Sequence, residues 1–416
     1  MNENLKIAVI GAGPAGLVAL KYALQNGYQC EVFEQTDSLG GNWVYKDEVD
    51  IDKSGIKVHS SLYKDLIINV PKELMTYPDF NYPSDLRASY IGHREVLSYL
   101  CAYAEEFNLK NHIQYCQCVV NVAPIEAKWM VTVQDVRHAN EKSKEFDAVF
   151  VCNGRFKSPV LPTINGQQLF EGNQIHSGSF RVPDSYENQK VLVVGGGHSA
   201  TEITEIISKV AQHVYISYRN PLEKSFASNV TRKPEVALFT TNEAIFIDGT
   251  KEDIHQVIYC TGYTYSGSFL SSECGLVIQN RGVAPLFKQI VNINYPTMFF
   301  IGMPYEGSGN VLFDLQVRFA MSILRKTFVL PTKQEMLEEW EDFLRMKDGL
   351  NISREHIHRF GNPQNVENYS TELAKTANIK SIPPFYFKLY KKVWKRKRSE
   401  RSYRIVDEET FEEIQI

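Results

Sequence analysis

The chain of 416 residues lacks several features that would assign a function quickly. It has no positive excess: 45 Lys and Arg against 49 Asp and Glu leave a net charge of −4, which gives no support to nucleic-acid binding through a whole-domain field. Its seven cysteines (Cys30, Cys101, Cys116, Cys118, Cys152, Cys260 and Cys274) are an odd number without framework spacing, and no C-x-x-C pair occurs. That argues against a redox-active dithiol and against a zinc site, and no bound metal is expected. No apolar run approaches the roughly 18 residues that a membrane span needs. Met1-Asn2-Glu3-Asn4 leads directly into an apolar stretch, without the h-region and cleavage site of a secretory signal, so a cytoplasmic setting is expected. Repeats and long low-complexity stretches are missing as well. So is any Ser/His/Asp or Cys/His motif for nucleophilic catalysis.

What is present is the composition of a globular enzyme, 43% hydrophobic, 23% charged and 12% aromatic, in a chain long enough for two domains. Two segments share one grammar: a β-branched strand, a glycine cluster, then a helical pattern. The first strand is Lys6-Ile7-Ala8-Val9-Ile10 before Gly11; the second is Lys190-Val191-Leu192-Val193-Val194 before Gly195. They lie too far apart for one βαβ unit, so two dinucleotide folds are expected. Buried strands are also expected at 146–152, 253–260 and 296–301, the first two closed by Asn153-Gly154 and Thr261-Gly262, and a helix at 311–325. The expected fold is α/β with two Rossmann-like domains, the smaller (155–285) inserted into a larger one made of 1–154 and 286–416.

Gly11-Ala12-Gly13-Pro14-Ala15-Gly16 fits G-x-G-x-x-G directly after a strand. The first glycine permits the tight turn, the second lets a pyrophosphate approach the backbone, and the third lets helix and strand pack closely. A helix over 17–24 and a strand over 28–33 follow, ending on Glu34, where an acid is expected to hold ribose hydroxyls. NAD competes with FAD for such a turn. Gly40-Gly41-Asn42-Trp43 favours FAD, because a glycine pair lets the chain pass close to a large planar ligand.

Gly195-Gly196-Gly197-His198-Ser199-Ala200 holds the G-x-G-x-x-A variant before a helix expected at 202–210. The next strand, 213–218, ends in Tyr218-Arg219 where an NAD-specific fold would carry an acid. A carboxylate there would repel a 2′-phosphate, whereas an arginine fork can bind it, so NADPH is expected. His198 reads equally as a helix-start residue with no chemical role.

One more segment, Phe170-Glu171-Gly172-Asn173-Gln174-Ile175-His176-Ser177-Gly178-Ser179-Phe180, fits F-x-G-x-x-x-H-x-x-x-F/Y just before the second glycine motif. It resembles the fingerprint of the flavin-containing monooxygenases, on Phe170, Gly172, His176 and Phe180. The resemblance runs through most of residues 5–330. It includes Ser61-Leu62-Tyr63, Asn69-Val70-Pro71-Lys72-Glu73-Leu74-Met75, Tyr77-Pro78-Asp79-Phe80, Cys260-Thr261-Gly262-Tyr263 and Asp314-Leu315-Gln316-Val317-Arg318. The chain is similar to the soluble insect members, some of which N-oxygenate plant alkaloids. It departs from vertebrate members, which carry a long insertion after the arginine matching Arg219 and a hydrophobic C-terminal anchor.

The resemblance implies an FAD enzyme in which NADPH reduces the flavin and O2 adds to give a C4a-hydroperoxide. A small nucleophile, an amine, alkaloid or sulfide, then takes one oxygen atom. It implies Asn69 beside the flavin and NADP+ as the catalytic side chain, and Gln35, Gly41, Asn42, Trp43, Gly262, Gly302 and Gln316 among the cofactor contacts. Phe180 with no following Trp favours N- or S-oxygenation over Baeyer–Villiger chemistry. A Baeyer–Villiger or amine N-hydroxylating enzyme shares the motifs, as does a catalytically silent flavoprotein acting as a binding or redox-sensing module.

The C-terminus changes character. Nine of residues 388–404 are Lys or Arg, interleaved with Tyr390, Trp394 and Tyr403 and followed by Asp407, Glu408, Glu409, Glu412 and Glu413. A solvated, partly helical tail with internally paired charges is expected; a patch resting weakly on a membrane surface is the other reading.

Overall fold

Short β-branched runs build two sheets, one parallel throughout and one with a parallel core, whose central strands are buried on both faces as such continuous apolar runs require. The computed structural model describes residues 4–53, 55–219, 225–279, 281–307, 309–394 and 401–415. The first sheet has seven strands in the order Leu286–Phe287, Val291–Asn292, Met298–Phe300, Ala148–Val151, Lys6–Ile10, Gln29–Phe33 and Ile113–Gln114. Its strands thus come from both ends of the chain. Its five strands from Met298–Phe300 to Ile113–Gln114 are mutually parallel.

The second sheet has five parallel strands in the order Val230–Lys233, His213–Ser217, Lys190–Val194, Gln256–Tyr259 and Asn173–His176. Every one of its strands falls between the segments that form the first sheet. The chain leaves the first sheet after Val151 and re-enters it at Leu286.

Three features were not legible as expected. The helix after the second glycine motif is His198–Ile207, four residues earlier than its apolar periodicity indicates, because it starts at the turn itself with polar residues. Two three-stranded antiparallel sheets are added, one over Gln117–Phe146 and one over Val236–Asp253. The C-terminal region is packed structure instead of a solvated tail. Helix Pro384–Trp394 buries Tyr386, Phe387, Leu389, Tyr390 and Val393, and strands Arg401–Ile405 and Phe411–Gln415 form a hairpin with Tyr403 inside. Ser402 accepts a hydrogen bond from the Ser89 amide (3.0 Å), and the Tyr403 amide donates to the Ser89 hydroxyl (2.7 Å), tying the hairpin to the N-terminal half. The tail's opposite charges do pair: Lys388 with Glu409, Arg401 with Glu413, and Arg404 with Glu412. Residues 395–400 of the basic stretch lie outside the described residues.

Candidate functional site

Gly11 ends the first strand at φ +100°, and its amide donates to the Phe33 carbonyl (2.8 Å). A Cβ there would stand 2.8 Å from the Cys152 carbonyl oxygen, so the crossing strand requires glycine. Gly16 is more constrained still: its Cβ would lie 1.8 Å from the Gly11 oxygen. Gly13 is different. Its φ is −75°, and an added Cβ would meet nothing nearer than the Gly41 Cα at 3.6 Å. Nothing in the chain demands glycine at 13; a ligand passing against the backbone would.

Helix Pro14–Gln25 starts at this point with Pro14 at its first position, Ala15 buried behind it and no acid in its first turn, leaving its amide end for an anion. Glu34 is buried beside the turn: its Oε2 accepts from the Ala12 amide (2.8 Å) and its Oε1 from the Thr36 amide (2.9 Å). Gly40 donates to the Ala12 carbonyl (3.0 Å), and Gly41, at φ +57°, faces Gly13 backbone to backbone. Asn42 accepts from the Ser61 amide and hydroxyl, both at 3.0 Å, and Trp43 closes the Gly41–Trp43 turn half-buried. Gln35 accepts from Lys157 (3.3 Å).

The second turn repeats this construction. Gly195, at φ +134°, donates to the Ser217 carbonyl (2.8 Å), and its Cβ would sit 2.3 Å from the Cys260 oxygen. Gly197 has φ −82° and nothing within 4 Å of an added Cβ. It is the counterpart of Gly13. Ala200 occupies the third position, fully buried, and His198 and Ser199 are exposed at a helix start again free of acids. A cleft of about 320 Å3 opens here, lined by Gly197, His198 and Ser199 together with Arg155, Arg281 and Arg359.

Sequence reasoning missed these three arginines. Arg155 follows the Asn153-Gly154 crossing directly, so the position was marked but not the side chain. It donates to the carbonyls of Met303 (3.2 Å), Pro304 and Tyr305 (3.0 Å), and burial pushes its guanidinium down to about 10, still a cation at neutral pH. Arg219 is exposed at the end of strand His213–Ser217, where its Nε donates to Glu235 (2.6 Å).

The fingerprint residues hold the crossing beside this cleft. The Gly178 amide donates to His176 Nδ1 (3.1 Å), so Nε2 carries the proton and donates to the Gly262 carbonyl (3.0 Å). Burial holds the His176 imidazole below its usual range, which favours this neutral form. Gly262 itself has φ +80° and lines the cleft. Phe170 packs on Phe239, Phe180 on Tyr63 and Tyr186, and a Cβ on Gly172 would meet the His255 oxygen at 2.3 Å.

Next to the fingerprint stands a further residue without a sequence signal, Arg181. Buried, it donates to the carbonyls of Lys46 (2.8 Å), Glu48 (3.2 Å), Ser60 (3.3 Å), Leu62 (3.2 Å), Gly178 (2.8 Å) and Phe180 (3.0 Å). Four of those carbonyls belong to the segment after the first glycine motif, so one guanidinium pins it to the fingerprint. Arg181→Met should leave these carbonyls without their donor and lower unfolding stability by about 3 kcal/mol. Denaturant titration checks this; an unchanged midpoint would show that water replaces the guanidinium.

Asn69 lies in the turn after Ile68, exposed, and among the described residues its side chain has no hydrogen-bond partner. Gly302, at φ +84°, donates to the fully buried Gln316 (2.9 Å), whose amide also donates to the Tyr369 hydroxyl (2.9 Å). Gln316 therefore fixes the Gly302 turn from within. Among the described residues no group of His, Cys, Asp and Glu could hold a metal, and no helix is long and apolar enough to cross a membrane. All seven cysteines are free.

Two glycine turns of the same build, each at the start of a helix on its own parallel sheet, define an oxidoreductase of the two-dinucleotide flavoprotein class. The chain matches the flavin-binding monooxygenase-like family over residues 4–223 and 222–407, and it belongs to that family. It is 32% identical over 394 residues to senecionine N-oxygenase of Tyria jacobaeae, covering 92% of this chain and 85% of that protein. It is 33% identical over 386 residues to flavin-containing monooxygenase FMO GS-OX3 of Arabidopsis thaliana, covering 86% and 82%. Among solved structures, S-allyl-L-cysteine S-oxygenase from Allium sativum shares the fold at a TM-score of 0.87 and 29% identity, over 94% of this chain and 92% of that one. The fingerprint thus led to the right family.

Proposed function

We propose that this flavin monooxygenase uses NADPH and O2 to place one oxygen atom on the nitrogen or sulfur of a small nucleophile, an amine, alkaloid or sulfide. The observation that carries the reading is the pair Gly13 and Gly197, two glycines that no neighbour in the chain requires, each at the start of a helix whose first turn carries no acid. In this reading residues 1–154 and 286–416 hold FAD at the first turn, and 155–285 hold NADPH at the second. The bound flavin supplies hydride acceptance and oxygen activation.

The chain's own part is to bind, orient and keep dry. The two helix starts meet the pyrophosphates, Glu34 takes ribose hydroxyls, and Arg219 leaves Glu235 for the 2′-phosphate. Asn69, with an unengaged amide, is the side chain offered to the reacting end of the cofactors. A protein nucleophile has no role, since the substrate itself is the nucleophile.

The purified chain should be yellow, or become so with FAD, and consume NADPH with a tertiary amine or a thioether. Oxygen-18 from O2 should appear as one atom in the product. A colourless protein after reconstitution, or a lactone from a ketone as the main product, would overturn the reading. Arg219→Ala should raise KM for NADPH by roughly tenfold or more, the loss of one charge-assisted contact, and leave KM for NADH nearly unchanged. Equal effects on both nucleotides would put the phosphate elsewhere.

A further inference from the structure

The cleft over the second glycine turn has a lining that the turn alone does not explain. Arg155, Arg281 and Arg359 line it together with Gly197, His198 and Ser199, and no Asp or Glu is among its lining residues within the described chain. None of the three arginines belongs to the glycine motif or to the strand after it. Arg155 comes just after the chain leaves the first sheet at Val151, and Arg281 just before it re-enters at Leu286. Arg359 lies between helices Lys333–Gly349 and Pro363–Thr376. Only tertiary folding gathers them.

Each keeps donors free, since a guanidinium has five N–H groups. Arg155 donates three to the carbonyls of Met303, Pro304 and Tyr305 and lies against the Phe156 and Tyr305 rings (5.3 and 4.8 Å), which leaves its Nε–H without a partner among the described residues. No carboxylate pairs with it there either. Arg281 meets one carboxylate, Glu355 at 3.2 Å, which is itself 59% exposed. Its Nη1 lies against Gly262, where a Cβ would stand 3.2 Å away, and Gly262 follows Cys260, whose carbonyl packs on Gly195. This guanidinium therefore stands beside the second turn. The Tyr305 hydroxyl donates to the Arg281 carbonyl (2.7 Å), joining it to the segment that Arg155 anchors. Arg359 donates through Nε to Glu306 (2.9 Å), a carboxylate completed by the Phe360 and Gly361 amides (2.8 and 3.2 Å), so both its Nη groups stay unengaged. No unpartnered nitrogen of Arg155 or Arg281 is sealed from solvent. Burial, and then the Arg281 charge, hold the His356 imidazole in the same lining below its usual range, so the positive field reaches into the cleft.

A lining with three forked cations and no acid suits an oxyanion that accepts several bonds at once, as a diphosphate does. We infer that Arg155, Arg281 and Arg359 bind the pyrophosphate of NADPH, with Arg281 as the main ligand, completing from outside the second sheet a site that Gly197 begins. The inference rests on the reading of the second turn as the NADPH site. Arg219 keeps its separate part at the 2′-phosphate, and the nucleotide, once bound, ties the second turn to the segments that flank the first sheet.

The test is calorimetric titration of NADP+, NAD+ and adenosine 2′-monophosphate into the flavin-loaded chain, with no reductant or substrate present. Arg281→Gln should weaken NADP+ and NAD+ by the same factor, roughly tenfold or more, and leave adenosine 2′-monophosphate, which has no pyrophosphate, within about twofold of the wild type. Arg359→Gln should act in the same direction by roughly threefold or more, and Arg281→Lys should restore part of the affinity by returning the charge without the fork. Unchanged nucleotide affinity in Arg281→Gln would overturn the inference. So would a loss confined to NADP+, which would put the 2′-phosphate here, or a loss seen only in KM for the substrate, which would put a substrate anion here. A wild-type chain that loads flavin but binds neither nucleotide would sink the reading of the second turn itself, and this inference with it. If Arg281→Gln does not fold, Arg281→Lys keeps the pairing with Glu355 and decides the matter, with a fall in affinity for both nucleotides expected.

Discussion

Gly16→Ala is expected to yield a chain that no longer retains flavin and is destabilised by about 3 kcal/mol or more. The added methyl would stand 1.8 Å from the Gly11 carbonyl oxygen and 3.4 Å from Val9 Cγ1. A side chain could rotate away from such a contact. A backbone carbonyl can move only if strand and helix separate, and with them the turn that positions Gly13. The second turn supplies the internal control, because it already carries Ala200 at the equivalent place, fully buried. Ala200→Gly should cost only about 1 kcal/mol, from the lower helix propensity of glycine, and leave nucleotide binding intact. The measurement is the ratio of flavin to protein absorbance after purification, together with the melting temperature. A yellow Gly16→Ala protein with normal melting would mean that the helix and strand are not held as close as the geometry indicates.

Asn69→Ala should produce the opposite combination: a chain that folds, keeps its flavin and oxidises NADPH, yet passes little oxygen to substrate. Product formed per NADPH consumed should fall by roughly tenfold or more, the scale of losing one hydrogen bond to a reacting group, with hydrogen peroxide making up the difference. Because Asn69 is exposed and its amide has no partner within the described chain, truncation should change stability by no more than about 0.5 kcal/mol. Any large loss is therefore assignable to the reaction and not to the fold. Simultaneous assay of NADPH, peroxide and oxygenated product checks this. Intact coupling in the variant would remove Asn69 from the chemistry.

The two glycine turns were legible because glycine is needed where two backbones touch. Gly11 against Cys152 and Gly195 against Cys260 are contacts between a strand end and the next crossing, and no other residue can occupy those positions at positive φ. Motifs of this kind can be read directly, since the residue type and the geometry imply each other. Glu34 and Arg219 are legible for a related reason: they end the strand that follows each turn, so their distance along the chain sets their place in space.

Arg155 and Arg181 carried no such mark. Arg181 gathers carbonyls from residues 46 to 62 and 178 to 180, which only tertiary folding brings together, and a lone arginine has no periodicity to reveal it. The C-terminal residues behaved likewise. Their charge pattern is that of a solvated tail, but the burial of Tyr386, Tyr390 and Tyr403 depends on the surface that the N-terminal half offers them. The amino-acid sequence by itself determined the two glycine turns and the family, because these rest on local backbone sterics. The tertiary structure alone decided which carbonyls a buried cation satisfies and where the charged C-terminus docks, because each depends on segments far apart in the chain.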